Sequence, residues 1–307
     1  MWSSPVVGDL DGDGHVEIAV AGDLSQGTVN NLAVYDSRGE VKPGWPRRFG
    51  DSEVRAIAGA DVDGDGVVEF LVNKTGDGPT TAVYEPDGSL HPNWPQVSAS
   101  CNPPAPAEPC WDFGGYNQNI GAGDLDGDGK LDVVSTYDAI GFGLFRGDGT
   151  PFATDASFTD RVVTAVEAYH DLALSQQGWG DGDRSEFTSS PPVVADVNGD
   201  GKMEVVLAGD HETTRSTDNR GVTVWVLNPD MTRPAGWLSP KDTGMPLQYG
   251  DKGPNIVETM PSPSVANLAL GGGLGGVQIW DVPGSAANCV VWGTGRRDWL
   301  RQGYVPN

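Results

Sequence analysis

Positive charge is scarce in this 307-residue chain: 19 Lys+Arg stand against 43 Asp+Glu, a formal charge of −24. A surface this acidic repels a phosphate backbone, which excludes nucleic acid as a partner class. Long apolar runs are also missing. No stretch of about 18 apolar residues occurs, so no membrane span is expected. Residues 1–20 read as repeat sequence rather than as a leader, so either a signal peptide has been removed or the chain begins inside a longer protein. Histidine and cysteine are few, at 4 and 3. His15, His91, His170 and His211 include no close pair with metal-ligand spacing. There is no nucleophile elbow, no glycine-rich phosphate loop and no zinc spacing. Cys101 and Cys110 flank the Pro-rich CNPPAPAEPC segment. They can close a short disulfide worth a little under ~3 kcal/mol, which suits a secreted, cell-surface or periplasmic setting. Cys289, in the apolar NCVVW, reads as a buried thiol, with a partner outside this chain as the alternative.

Glycine and proline are plentiful, 44 and 23, and punctuate short runs rich in Val, Ile, Leu, Trp and Tyr. That is the pattern of many strands joined by turns, and it predicts an all-β chain. Self-alignment finds SSPVVGDLDGDGHVEIAVAG from Ser3, VRAIAGADVDGDGVVEFLVNK from Val54, NQNIGAGDLDGDGKLDVVSTY from Asn117 and SSPPVVADVNGDGKMEVVLAG from Ser189. A fifth stretch, from Pro261, keeps the apolar flanks but has Asn267 where the first acid should stand and none of the later acids. The equivalent positions Asp9, Asp61, Asp124, Asp196 and Asn267 are 52, 63, 72 and 71 residues apart. Units of that size fit four-stranded propeller blades with variable loops. The expectation is one β-propeller domain over 1–307, with blades at about 1–50, 51–100, 115–188 (insert 151–188), 189–257 and 258–307.

Each acidic loop presents hard oxygen donors at alternate positions, the donor set that calcium takes six to eight at a time. The first offers Asp9, Asp11, Asp13, the carbonyl of His15, and Glu17. The second offers Asp61, Asp63, Asp65, Val67 through its carbonyl, and Glu69. The third offers Asp124, Asp126, Asp128, Lys130 through its carbonyl, and Asp132. The fourth offers Asp196, Asn198, Asp200, Lys202 through its carbonyl, and Glu204; its Asn costs one charge and predicts a weaker site. About four Ca²⁺ ions are expected. An EF-hand needs a Glu at position 12, where Val20, Val72, Ser135 and Leu207 stand instead. The alternative for any single loop is a metal-free Asp/Gly hairpin turn.

These loops and their flanks resemble the FG-GAP and VCBS-type repeats of integrin α-subunit propellers and their bacterial relatives, from Ser3 to the terminal WGTGRRDWLRQG. The resemblance implies that each calcium loop is the hairpin joining the first two strands of a blade. Integrin-type propellers have seven blades and five are countable here, so the propeller is either smaller or lacks upstream blades.

Alternating strand direction then places the calcium loops and the third-to-fourth turns on one face. The long segments 74–80, 95–116, 151–188 and 211–220 fall on the other. A protein or glycan partner is expected at that second face, with calcium structural. Thr159–Leu174 has helical periodicity and predicts a short helical insert. Asp181, Asp183 and Glu186 offer a further cation site or a solvated acidic loop. His211–Glu212 with His170–Asp171 offers a composite acid/base site. Arg146-Gly147-Asp148 spells an adhesion tripeptide but occupies a hairpin turn, and Trp45, Trp94 and Trp237 recur at one blade position, which favours packing between blades over sugar stacking. The leading reading is a non-enzymatic binding or adhesion module. The alternatives are a polysaccharide lyase or hydrolase and a structural subunit of a surface assembly.

Overall fold

The computed structural model describes residues 5–22, 32–48, 54–74, 81–94, 120–136, 142–152, 168–169, 184–186, 192–212, 219–238, 241–242, 262–265, 268–271 and 277–280. Every element among them is a β-strand, and all pairings are antiparallel. The first three sheets are β1 (Val6–Gly8), β2 (Glu17–Ala21) and β3 (Leu32–Tyr35); β4 (Val54–Ala60), β5 (Glu69–Lys74) and β6 (Thr81–Tyr84); and β7 (Ile120–Gly123), β8 (Asp132–Thr136) and β9 (Phe142–Phe145). The fourth joins β10 (Ala168–Tyr169), β11 (Arg184–Glu186), β12 (Val193–Ala195), β13 (Glu204–Glu212), β14 (Asn219–Leu227) and β15 (Lys241–Asp242). The fifth comprises β16 (Ser262–Val265), β17 (Leu268–Gly271) and β18 (Val277–Trp280).

One sheet forms around each copy of the repeat, the fourth also taking β10 and β11 from the segment 151–188 expected in the third blade, and the sheets touch in chain order through the strand before each first hairpin: β1 with β4, β4 with β7, β7 with β12 and β12 with β16. Strands with apolar residues on both faces are what such stacking requires. β5, β7 and β8 are buried along almost their whole length, Glu69 and Asp132 included.

Two expectations are corrected. Among the described residues four of the five sheets have three strands, not four. The fourth segment of each early repeat meets its sheet only at isolated bridges, Tyr35↔Val41 and Leu32↔Arg47 in the first, Tyr84↔Leu90 in the second and Phe145↔Pro151 in the third. It turns at the tryptophan, with the amides of Trp45 and Trp94 donating to the carbonyls of Lys42 and His91. Proline and glycine in GWP and NWP favour that turn over a ladder. The helical insert is not observed either: there is no helix among the described residues, and Ala168–Tyr169, inside that insert, pair with Arg184–Ser185 as β10 and β11. In the same region, residues 211–212 and 219–220 belong to β13 and β14, which leaves 213–218 as their connection. The Cys101–Cys110 disulfide, Cys289, Asn267 and the C-terminal WGTGRRDWLRQG lie outside the described residues.

Trp45 and Trp94 hold neighbouring repeats together. The Trp45 ring meets Phe70 of β5 edge-on at 5.3 Å, and its Nε1–H donates to the Pro86 carbonyl at 2.7 Å. One repeat later Trp94 meets Phe145 at 5.5 Å and donates to the Gly147 carbonyl at 2.8 Å. Ile18 of β2 holds the register place of Phe70 and stands 38% exposed. Between sheets 2 and 3, Asn73 Nδ2 donates to Ser135 Oγ at 3.1 Å, and the Thr81 hydroxyl is 2.9 Å from the same oxygen. All three residues are buried, so this network links the two sheets away from the loops.

Candidate metal centres on the first hairpins

The connections from β1 to β2, β4 to β5, β7 to β8 and β12 to β13 are the four acidic loops. Their first acid organises the backbone. Asp61 Oδ1 accepts the amides of Gly64 at 2.7 Å and Asp65 at 3.2 Å, and its Oδ2 accepts Gly66 at 3.0 Å. Asp124 does the same for Gly127, Asp128 and Gly129, and Asp196 for Gly199, Asp200 and Gly201. In the first loop Asp9 Oδ2 accepts Gly14 at 3.0 Å. The two glycines of every loop have φ between +73° and +91°, a region closed to most side chains, which is why both positions are Gly in all four. The fifth position accepts the amide of the seventh: Asp13 from His15, Asp65 from Val67, Asp128 from Lys130 and Asp200 from Lys202, at 2.8 to 2.9 Å.

The ninth position carries the chemistry. Glu17, Glu69, Asp132 and Glu204 are the first residues of β2, β5, β8 and β13, and none is more than 2% exposed. One oxygen of each accepts the amide of the loop's second residue: Leu10 at 3.0 Å, Val62 at 2.8 Å, Leu125 at 2.7 Å and Val197 at 2.8 Å. Carboxylate oxygens then converge within 4.8 Å of one another in three groups: Asp9, Asp11, Asp13 and Glu17; Asp61, Asp63 and Glu69; Asp124, Asp126 and Asp132. Asp65 and Asp128 stay outside these groups, and the fourth loop forms none. There Asn198 turns its amide into a donor, to Asp200 Oδ2 at 3.2 Å and Glu204 Oε1 at 3.1 Å, while its own oxygen accepts the Asp200 amide. The Asn noted in the sequence thus hydrogen-bonds to its acids instead of adding a carboxylate to them.

The electrostatics show acids crowded beyond what the protein groups around them offset. Burial pushes the Glu69 carboxyl up to about 8, against the Val62 amide and with help from the charges of Asp63, Glu85 and Asp61. Burial likewise pushes Asp132 up to about 8, with Asp126, Asp124 and Asp128 adding to it, and Glu204 up to about 7. In the first loop the buried oxygens Asp9 Oδ1 and Asp11 Oδ1 have no hydrogen-bond partner. A divalent cation with hard-oxygen preference fits this donor set, which has no sulfur or imidazole among its converging atoms.

A pH dependence follows. Folded-state values raised above the ordinary carboxylate range mean that the folded chain holds these protons more tightly than the unfolded one. Their stabilising effect is complete below the ordinary carboxylate pKa and is lost as pH rises through 7 to 8. In chelator, the melting temperature is expected to fall from about pH 4.5 to about pH 8, and saturating calcium is expected to flatten that slope. A flat profile in chelator contradicts the burial of these acids.

Sequence reasoning missed the basic and acidic neighbours of the loops. The Lys42 ammonium contacts Asp11 and lies 3.3 Å from Glu17 Oε1. Arg146 Nε donates to Asp126 Oδ2 at 2.9 Å and its guanidinium lies over the Phe152 ring. His91 Nδ1 is 2.7 Å from Glu85 Oε1. All sit at fixed offsets around the turn after the third strand, so extending the repeat alignment through that turn exposes them. Arg146-Gly147-Asp148 is committed to the same turn: Asp148 caps Thr150, and a Cβ on Gly147 meets the Val62 carbonyl oxygen at 2.0 Å. Val265↔Leu268 pairing leaves only two residues between β16 and β17, so the fifth hairpin has no acidic loop, as its sequence predicts. Of the other candidates, Glu186 lies in β11, and His211 and Glu212 in β13; Asp181, Asp183, His170 and Asp171 lie outside the described residues.

The FG-GAP-like repeat family model matches residues 2–72, a span containing the first two acidic loops. No curated protein matches the chain in sequence. Among solved structures the chain is similar to a putative exo-beta-1,3-galactanase from Bifidobacterium bifidum s17, with 11% identity, a TM-score of 0.38, and coverage of 88% of this chain and 81% of that one. It is also similar to the rhamnogalacturonan lyase PL11 of Bacillus licheniformis, with 20% identity, a TM-score of 0.38 and coverage of 82% of this chain; it spans half the length of the lyase.

Proposed function

We propose that this chain is a secreted, calcium-stabilised β-propeller of FG-GAP/VCBS type, akin to integrin α-subunit propellers, that serves as a binding or adhesion module. The observation that carries the calcium reading is the buried ninth-position acid, one oxygen pinned by a loop amide, at the centre of converging carboxylates. Calcium would be held by Asp9, Asp11, Asp13 and Glu17; by Asp61, Asp63 and Glu69; and by Asp124, Asp126 and Asp132. Asp65 and Asp128, which stand outside the converging groups, and the carbonyls of His15, Val67 and Lys130 would supply further oxygens on binding. When bound, it supplies charge neutralisation that lets the acids stay ionised inside the hairpin. The fourth loop, with Asp196, Asn198, Asp200, Lys202 and Glu204, is the weakest member. Blade-like stacking is supported by first strands adjoining in chain order.

The partner, a protein or a glycan, belongs on the face opposite the loops. Antiparallel pairing sends the β2–β3, β5–β6 and sheet-to-sheet connections to that end, and these are the connections whose lengths vary. Calorimetric titration of the full chain with calcium tests the scaffold. At least two tight ions are expected, and Asp61→Asn is expected to remove one of them, because a neutral amide replaces the carboxylate that three loop amides organise. Absence of calcium binding at millimolar concentration overturns the reading.

A further inference from the structure

We infer that Lys42 is a tethered counter-cation that competes with calcium for the first loop, so that this repeat is locked without metal and fills after the second and third. The inference rests on the calcium reading above. Its basis is a difference between repeats that are otherwise superimposable in register.

Lys42 is placed by backbone bonds, not by its charge: its amide donates to the Val34 carbonyl at 2.9 Å, and its own carbonyl accepts the Trp45 amide at 3.2 Å. The same two bonds fix His91 through Val83 and Trp94, so the positions are equivalent. From this anchor the Lys42 side chain, 16% exposed, reaches the first loop and bridges Asp11 and Glu17 Oε1, both members of the four-acid group. Glu17 has then committed its two oxygens, one to the Leu10 amide and one to the ammonium. In the second repeat the place belongs to His91, which is paired with Glu85 and not with a loop acid. In the third it belongs to Phe152, whose amide donates to the Leu144 carbonyl, and Arg146 touches only Asp126 there. The ninth-position acid therefore has an ammonium partner in the first repeat, and in the second and third none among the described contacts.

A tethered ammonium and a calcium ion cannot share the same two carboxylates without mutual repulsion. Like charges held in contact with the same carboxylates, in a site only partly open to water, repel strongly because little solvent lies between to screen them. Calcium entering the first loop must therefore displace Lys42. The ammonium in turn gives that loop a cohesion that chelators cannot remove.

The test uses the full chain as wild type, Asp9→Asn, Lys42→Met and the double variant, each titrated with calcium and melted in chelator and in saturating calcium. Methionine keeps the apolar stem and removes only the charge. The sites lost in Asp9→Asn identify the first loop. Lys42→Met is expected to tighten those sites at least tenfold, with the gain absent from the double variant. It is also expected to lower the melting temperature in chelator but not in saturating calcium. Unchanged or weakened affinity at the first loop overturns the inference, and so does an equal loss of stability in both media, which marks Lys42 as a packing residue. If the wild type binds no calcium at any loop, the calcium reading fails. The lock is then judged separately: a chelator melting temperature that Lys42→Met leaves unchanged overturns it too.

Discussion

Stripping divalent cations from the full chain with a chelator is expected to lower its melting temperature by roughly 8 °C. Ligand that binds only the folded state stabilises it by about 2.7 kcal/mol per site at a free concentration near a hundred times Kd. A chain of 307 residues shifts by about 1.5 °C for each kcal/mol. The second and third loops alone supply two such sites, each built on a buried acid whose charge the surrounding protein groups do not offset. Without the cation these acids hold protons, so the hairpins survive at neutral pH but lose the electrostatic cohesion that binds loop to strand. Re-addition of calcium is expected to restore the transition, whereas magnesium, which demands tighter octahedral geometry and gives up water reluctantly, is expected to restore less of it. Identical melting curves with and without chelator sink the structural role of the metal.

The second large effect is expected from Trp94→Ala, which should cost about 3–5 kcal/mol in denaturant unfolding. Trp94 is buried, packs edge-on against Phe145 and donates to the carbonyl of Gly147, so its removal opens a cavity and leaves a buried acceptor short of its partner. Trp94→Phe keeps most of the packing and loses only the N–H bond, for an expected cost nearer about 1–2 kcal/mol. Leu238→Ala, at a residue 61% exposed, is the control and is expected to change stability by less than about 0.5 kcal/mol. If Trp94→Ala and Leu238→Ala are indistinguishable, the tryptophans do not couple the repeats.

The repeat, the all-β class and the acidic loops were legible because a loop whose first acid must collect three amides tolerates little variation in sequence. Glycine at the positive-φ positions and an acid at the first strand residue are local demands, visible residue by residue. Lys42 and Arg146 were harder to read, since the bonds they make span 31 and 20 residues and only a repeat alignment carried through the turn after the third strand places them beside the loops. The fourth strand was misread for a related reason. GWP and NWP follow a plausible strand start, but the tryptophan ring is drawn toward the next repeat and the chain turns there, which interrupts the ladder; in the first repeat Arg47 meets Leu32 again beyond the turn. The helical periodicity of Thr159–Leu174 was an ambiguous signal of the usual kind, a short apolar pattern that does not by itself separate helix from strand.

The tryptophan contacts also give the array a direction. Each of these rings belongs to one repeat and is housed by the next, in bonds that reach only 41 and 53 residues along the chain. A cut on the C-terminal side of a repeat therefore leaves a plug without a socket, and a cut on the N-terminal side leaves a socket without a plug. During synthesis the plug leaves the ribosome first. Trp45 is already available when Phe70 arrives, and Trp94 when Phe145 does, so every new sheet can be sealed by material its predecessor has supplied, and the array can assemble in the order in which it is made.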